Sequence, residues 1–286
     1  MYSQHTFLEK SFRHLLIWIM IAIALFPVIW IFSVSLNAAD TLFGGYRLIP
    51  KNFTTSHYQE LFSVPRHPFG LWLWNSIKVS GTASVLTVFL AALAAYALSR
   101  FRFRGRRTGL IALLLIQMFP QMLAMVAIYL FLLNIGRYIS WLGLNTHAGL
   151  IMVYLGGAVG FNTWLMKGYF DTIPHELEES AMIDGATRFQ TFLWIIFPLV
   201  RPILAVIFIL SFIGTYGDFL LPSILLTGTE KYTFAVGLRL FTMGPYATRW
   251  GIFAAASILG AFPIMVIFLS LQRFLVSGLT RGAVKG

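Results

Sequence analysis

The chain has 286 residues, 58% of them hydrophobic and only 11% charged, with no cysteine and a net charge of +11. An ordinary soluble domain carries about a quarter charged residues, so a water-covered enzyme of this composition is excluded. Disulfides, thiolate metal sites and cysteine nucleophiles are excluded with the missing cysteine. The basic excess fits cytoplasmic loops facing anionic lipid rather than a nucleic-acid surface.

Six apolar runs long enough to cross a bilayer follow one another: Leu15 to Leu36, Ser76 to Leu98, Leu110 to Leu133, Gly149 to Met166, Leu199 to Leu221 and Ile252 to Phe274. The sequence therefore predicts an all-α polytopic membrane bundle of six transmembrane helices. The first run is too long for a signal peptide and is followed by further spans, so it reads as a retained helix. An even number of crossings puts both termini on one side. With the amino terminus inside, the inside segments hold 13 Lys and Arg, including the cluster Arg100, Arg102, Arg104, Arg106 and Arg107, and the outside segments hold 8 with no such cluster. Both termini are thus expected in the cytoplasm, in a multi-pass protein of the cytoplasmic (inner) membrane.

This divides the chain into residues 1–70 (cytoplasmic segment, first span and outer loop), a core of 71–275, and a small, basic cytoplasmic tail of 276–286. Ala91, Ala92, Ala94 and Ala95 smooth the second span, and Gly156 and Gly160 form a G-x-x-x-G in the fourth; both permit close helix packing. Pro120 and Pro263 remove a backbone donor inside the third and sixth runs and are expected to kink them. The outer loop of about 30 residues after the fifth span carries Gly228, Gly237, Gly244 and Pro245 interleaved with Tyr232, Phe234, Phe241 and Tyr246. It reads either as a plain connector or as a loop that meets an external partner. Trp72 and Trp74 suit an interfacial aromatic belt. His147 and His175 are isolated and predict no metal site.

Half of the ten acidic residues lie between Asp171 and Asp184, in the connection 168–198 between the fourth and fifth spans. Cytoplasmic tethers are usually short and basic, so this loop has another task. Pro174 suits a first helical position, Glu176, Glu178 and Glu179 suit the positive end of the helix dipole, and Gly185 suits the position just past the end. Thr187 and Gln190 have the spacing of a capping box that opens a second helix through Phe192 and Ile195 to Pro198. Leu177 and Ala181 share a face, and Ser180 with Ala181 offers a small-residue patch for close approach by another protein. The other reading is an amphipathic helix lying on the membrane surface, against which stands the repulsion of its glutamates by anionic lipid.

Within the membrane, Asp218 is the one acid in a predicted span. It lies 17 residues past Arg201, roughly 25 Å along a helix, and so near the outer surface. It reads as a solvated or paired acid, as a pathway or partner contact, or as an ion-coupling group. Asn75, Gln117, Gln121, Asn134, Tyr154, Asn162 and Tyr216 supply neutral hydrogen-bonding groups that serve either an uncharged, hydroxyl-rich substrate or the packing between helices.

The stretch Glu179, Ser180, Ala181, then Gly185, then Ile195, Phe197 and Pro198 resembles the signature of integral membrane subunits of binding-protein-dependent ABC importers. That signature runs Glu-Ala-Ala, three residues, Gly, nine residues, Ile-x-Leu-Pro; Ser180 and Phe197 are the two departures. LWLWNSIK from Leu71, QMFP from Gln117, GLNTH from Gly143, YLGG from Tyr154, KGYF from Lys167 and GLTRGAVKG from Gly278 look like the smaller, six-span permease subunit of the maltose/maltodextrin importers. The resemblance implies a type I ABC importer permease fold and a coupling helix, formed by Glu178, Glu179, Ser180, Ala181, Met182, Asp184, Gly185 and Ala186, that docks on an ATPase. It also implies a heterodimer with a larger permease subunit, two cytoplasmic ATPase subunits and an external sugar-binding protein; this chain itself is expected to contact membrane lipid and no nucleic acid. It points the loop after the fifth span toward the binding protein, and Asp218, Tyr216, Gln117, Gln121 and Asn162 are weaker pathway or partner contacts.

No G-x-x-x-x-G-K-[ST], H-E-x-x-H or G-x-S-x-G occurs, so no cofactor is expected on this chain, and ATP and Mg belong to the partner ATPase. The alternative is an ion-coupled secondary transporter working alone, which would call for more buried ionisable groups.

Overall fold

A computed structural model describes residues 7–41, 48–63, 67–243 and 249–283. Its elements are helices, and the one trace of β-pairing among the described residues is an isolated antiparallel bridge between Asn37 and Phe53. Among the described residues four helices are long and apolar enough to cross a membrane unbroken: α1 (Phe7–Ser35), α3 (Phe69–Arg100), α6 (His147–Phe170) and α13 (Trp250–Ala283). Two further crossings are bent pairs, so six spans result when each pair is one span.

The first pair is α4 (Arg106–Gln117) and α5 (Gln121–Tyr138), which meet at 101°. Pro120 does more here than kink the expected third span. It cannot donate to the preceding turn and it sits in extended conformation with ψ 117°, so the helix ends and a second one starts. The second pair is the stretch Arg188–Leu199 with α10 (Arg201–Tyr216), bent by 77°. The fifth apolar helix thus stops at Tyr216 rather than Leu221, because Gly217 and Asp218 leave the helix before α11 (Leu220–Leu225). Pro263, by contrast, is carried inside α13 without ending it.

The chain forms two compact units: Met1–Phe69 with Leu238–Ala261, and Gly70–Gly237 with Phe262–Gly286. In the first, the loop after α1 folds on itself around α2 (Ser56–Ser63). The His57 ring bonds the carbonyl of Asn37 at 3.0 Å, and Arg249 donates to Asp40 at 3.0 Å and to Glu60 at 2.9 Å. The Arg249 guanidinium holds the Glu60 carboxyl below its usual range, and Glu60 in turn raises the guanidinium.

The second unit has two side-chain cores. In one, Ala91, Ala92, Ala95 and Tyr96 of α3 pack with Met166 and Phe170 of α6 and with Phe192, Ile196 and Ile207. Lipid is as apolar as these side chains, so close packing rather than water exclusion drives the association, and the alanines permit it. In the other, Val79 and Ala83 meet Leu132, Leu150, Tyr154, Leu221 and Leu225. Of the G-x-x-x-G pair, Gly160 is the half that is used: a Cβ there would meet Gln117 Nε2 at 2.6 Å, whereas Gly156 faces open space.

Candidate functional site

The connection from α6 to α10 carries most of the candidate residues. It folds into α7 (Glu176–Ile183), α8 (Arg188–Thr191), a π-turn over Phe192–Ile196 and α9 (Phe197–Leu199). Pro174 is not the first helical residue of α7. His175 takes the N-cap position, and its carbonyl accepts from the amides of Glu178 at 2.9 Å and Glu179 at 3.1 Å. Three glutamates occupy the first turn, where free backbone amides and the dipole favour negative charge. At the other end Gly185 is left-handed with φ +87°. Its amide reaches Met182 O at 3.1 Å, and that of Ala186 reaches Ala181 O at 3.0 Å. These are the two bonds of a Schellman stop.

The capping box forms as spaced in the sequence: Gln190 N donates to Thr187 Oγ1 at 3.3 Å, and Thr187 N to Gln190 Oε1 at 2.8 Å. The second helix is not regular to Pro198. Phe197 N reaches back five residues to Phe192 O, a wide turn just ahead of Pro198, which has no amide to donate.

The side chains of α7 divide sharply. Glu178 is buried, 7% exposed. One carboxylate oxygen accepts from Arg100 Nε and the other from Tyr96 OH at 3.1 Å. Arg100 also donates to Ile173 O at 2.9 Å and faces His175 Nε2 at 3.3 Å. Seven residues earlier, at the end of α6, Asp171 accepts from Ser99 Oγ at 2.7 Å and Lys167 Nζ at 2.5 Å. Burial alone would raise the Asp171 carboxyl, but these two donors and the nearby positive charge bring it below its ordinary value.

Ala181 also points inward, 6% exposed, so the expected Ser180 and Ala181 patch is not presented as one surface: Ser180 alone is outside. Nor do Leu177 and Ala181 form one covered stripe, since Leu177 is exposed while Ala181 is covered. The open side of α7 is made of Leu177, Glu179, Ser180, Met182 and Ile183, followed by Asp184 and Gly185, with Ala186 half-buried. Ile183 is 86% exposed, a large apolar side chain left open.

The five intramembrane candidates do not form one cluster. Asn162 and Asp218 line a common groove of about 940 Å³ together with Thr87, Tyr154, Ser211 and Thr215. Asn162 donates to Ser211 at 3.4 Å. Asp218 is outside the helix, accepting from Tyr154 OH at 3.0 Å and from Leu220 N at 2.9 Å. One oxygen is thus paired with Tyr154 and the other holds the amide of Leu220, the first residue of α11. Gln117 lies on another groove, between α4 and α6, and donates to Gly157 O at 3.1 Å. Tyr216 is 2% exposed and stacked at 5.4 Å on Phe212 in the interior. Gln121 opens α5, and its side chain lies outside the described residues.

Sequence reasoning missed Tyr96, Ser99 and Arg100 as partners of the connection. Arg100 was legible only as part of a basic cluster, and nothing in the spacing links it to a carboxylate 78 residues away. It also suited Trp72 to an interfacial aromatic belt. Trp72 is instead fully buried and donates to Thr229 O at 2.7 Å, while Trp74 stays exposed. Beside Trp72, Asn75 donates to Glu230 O at 2.9 Å and Tyr232 O at 3.0 Å, and Ser76 accepts from Phe234 N at 2.7 Å. From the opposite side Asn145, in left-handed conformation, accepts from Thr227 N at 3.1 Å. The loop after the fifth span is therefore clasped rather than free. Its Phe234 and Phe241 are buried and its Tyr232 half-buried, and Gly244, Pro245 and Tyr246 lie outside the described residues.

Comparison with known proteins places this geometry in a wider group. Residues 87–281 match the family model described as binding-protein-dependent transport system inner membrane component. The chain is 45% identical over 284 residues to the maltose/maltodextrin transport system permease protein MalG of Vibrio vulnificus (strain YJ016), covering 96% of this chain and 95% of that one. To MalG of Escherichia coli (strain K12) it is 43% identical with the same coverage. Among solved structures it resembles a bacterial ABC transporter involved in the import of the acidic polysaccharide alginate. The TM-score is 0.78 and the identity 24%, covering 96% of this chain and 99% of that one. A second, the bacterial alginate ABC transporter in complex with an alginate pentasaccharide-bound periplasmic protein, gives a TM-score of 0.61 at 20% identity, covering 90% and 93%. These two likenesses speak for the fold. The family match over most of the chain, with the full-length relatives, decides the identity: this chain belongs to the binding-protein-dependent transport system inner membrane components, as a permease subunit of an ABC importer and a multi-pass protein of the inner membrane.

Proposed function

We propose that this permease carries maltose or a maltodextrin inward, with a larger permease subunit beside it, an external sugar-binding protein delivering the substrate, and ATP hydrolysed with Mg on two cytoplasmic ATPase subunits that grip α7. The similarity to MalG proteins along nearly the whole chain supports the substrate class. The greater share of Lys and Arg on one side supports placing both termini and α7 in the cytoplasm.

The observation that carries the coupling role is the shape of α7: eight residues, closed at both ends by their own backbone, fixed on the inside through Glu178, and presenting Leu177, Met182 and Ile183 uncovered on the outside. A hydrolytic cycle on a partner can drive transport only if its states hold this subunit differently, and a short rigid helix passes on such a difference. The coupling residues Glu178, Glu179, Ser180, Ala181, Met182, Asp184, Gly185 and Ala186 lie on α7 and on the turn that ends it. The groove holding Asn162 and Asp218 is the part of the chain that offers neutral hydrogen-bonding groups toward a sugar path or toward the second permease subunit.

Reversing the charge of Glu179, whose side chain is exposed, is expected to lower recovery of the ATPase subunit in a pull-down about tenfold, the loss of roughly one charge-assisted contact. Undiminished recovery overturns the coupling role.

A further inference from the structure

The coupling reading gives the residues from Glu178 to Ala186 a single task, but the geometry points to two. We infer that Glu178 is a positioning residue: it joins α7 to the end of α3 through Arg100 and Tyr96, and only the opposite side of α7, with Glu179, Met182 and Ile183, meets the ATPase. This rests on the coupling role proposed above and divides it.

Glu178 and Glu179 are neighbours about 100° apart around a helix, and their surroundings differ completely. Glu179 is exposed, whereas both carboxylate oxygens of Glu178 are already taken, Oε1 by Arg100 Nε and Oε2 by Tyr96 OH at 3.1 Å. The Arg100 side chain is 2% exposed. Its fork reaches the carbonyl of Ile173 at 2.9 Å and the ring of His175 at 3.3 Å, so one side chain holds the approach to α7, its N-cap residue and its first turn. A planar guanidinium with five donors in fixed directions is suited to that task. Tyr96 and Arg100 are one turn apart on α3, and Ala91, Ala92 and Ala95 before them are packed with no exposed surface. A displacement of α7 therefore acts on a membrane-crossing helix directly, not only through the chain that leads into α10. A glutamate that met the ATPase would need an oxygen open to it, and the Glu178 side chain is 9% exposed with both oxygens turned toward α3.

The chain contains no cysteine, so Ile183→Cys carries a photo-crosslinker at one position. In the assembled transporter in proteoliposomes, the crosslinker at 183 should label the ATPase subunit with or without Glu178→Gln. Sugar carried per ATP hydrolysed should fall about tenfold in the Glu178→Gln protein, the loss of one charged hydrogen bond. Tyr96→Phe, which deletes one oxygen and leaves the packing, should give a smaller fall in the same ratio. The exchange Arg100→Glu with Glu178→Arg should recover part of the coupling, which a contact with the ATPase would not. Loss of the crosslink in Glu178→Gln, or unchanged coupling in both Glu178→Gln and Tyr96→Phe, overturns the joint. Absence of labelling with Glu178 intact overturns the coupling role of α7 itself, and the joint with it.

Discussion

The two ends of α3 hold their neighbours by different chemistry. At Trp72, Asn75 and Ser76 neutral side chains bind the backbone of residues 229–234, so the fastening is spread over several bonds and depends little on which side chains the loop carries. At Tyr96, Ser99 and Arg100 the fastening runs to two particular carboxylates, Glu178 and Asp171, and depends on their charge. Each neutral bond contributes about 1 kcal/mol net, and losing one leaves the others. Removing one partner of a buried ion pair strands the other, at a cost of about 3–5 kcal/mol. The distributed end is a permanent attachment, and the ionic end is a joint that one event can open.

The sharpest way to break this contrast is Arg100→Met. Glu178 would then be buried with no countercharge, and stability of the detergent-solubilised protein should drop by about 3–5 kcal/mol. Adding Glu178→Gln should recover most of it. A single-variant loss below about 1 kcal/mol, as at an exposed pair, would make the two ends equivalent.

At the other end Gly237→Val tests whether the neutral clasp is as tight as its packing. A Cβ at 237 would overlap the ring of Trp72, which has no exposed surface and no room to withdraw. The expected loss is about 1–3 kcal/mol. Amide exchange should quicken over residues 229–234 and stay slow over 171–178. Faster exchange in both places would mean that the ends of α3 are not independent.

Gly185→Val is a smaller change in a different currency. No atom lies within reach of an added Cβ, so the whole effect is backbone strain at φ +87°, about 1–2 kcal/mol. That suffices to unwind the Schellman stop without disturbing the spans. Insertion into the membrane should be normal and sugar uptake severely reduced. Normal uptake would show that the end of α7 has no part in coupling.

The comparison also explains what could be read from the sequence. Local signals sufficed wherever the chain bonds to itself nearby: Gly185 stops a helix because only its own backbone is involved, and Thr187 with Gln190 caps one across three residues. Apolar runs located the spans for the same reason. Pro120 was legible as a defect, but the size of the break depends on packing that no local window contains. The ionic joint was not legible, since Arg100 and Glu178 are brought together only when α3 and α6 pack through the alanines and Phe170. Before that, Arg100 is one basic residue among five, and Glu178 looks the same as Glu179. Trp72 failed in the same way: an amphipathic ring suits either a lipid interface or a buried hydrogen bond, and the partner at Thr229 decides which.

Acid titration gives the finest distinction between the ends. The Asp171 carboxyl lies below its ordinary value of 3.8 because the hydrogen bonds from Lys167 and Ser99 outweigh the opposing effect of burial. A carboxyl with a lowered folded pKa contributes stability that is fully present above its unfolded pKa and lost as pH falls through the folded value. From pH 8 down to about pH 5 no change is expected from this group, and the loss is confined to the range below the ordinary carboxyl value. Asp171 is partly exposed, its side chain 43% accessible, so the contribution is screened and is expected to be below about 1 kcal/mol. Protection of the amides of residues 167–171, taken against the intrinsic exchange rate at each pH, should therefore fall slightly on acidification and lose that dependence in Asp171→Asn. The bonds from Trp72 to Thr229, from Asn75 to Tyr232 and between Phe234 and Ser76 have no proton to gain in this range, so the amides of Thr229, Tyr232 and Phe234 should show no such step; Lys231, whose carbonyl meets the His147 ring at 2.8 Å, is left out of the comparison. An equal acid step at both ends would mean that the attachment at Trp72 also depends on a carboxylate, and the contrast between a permanent and an openable end would fail.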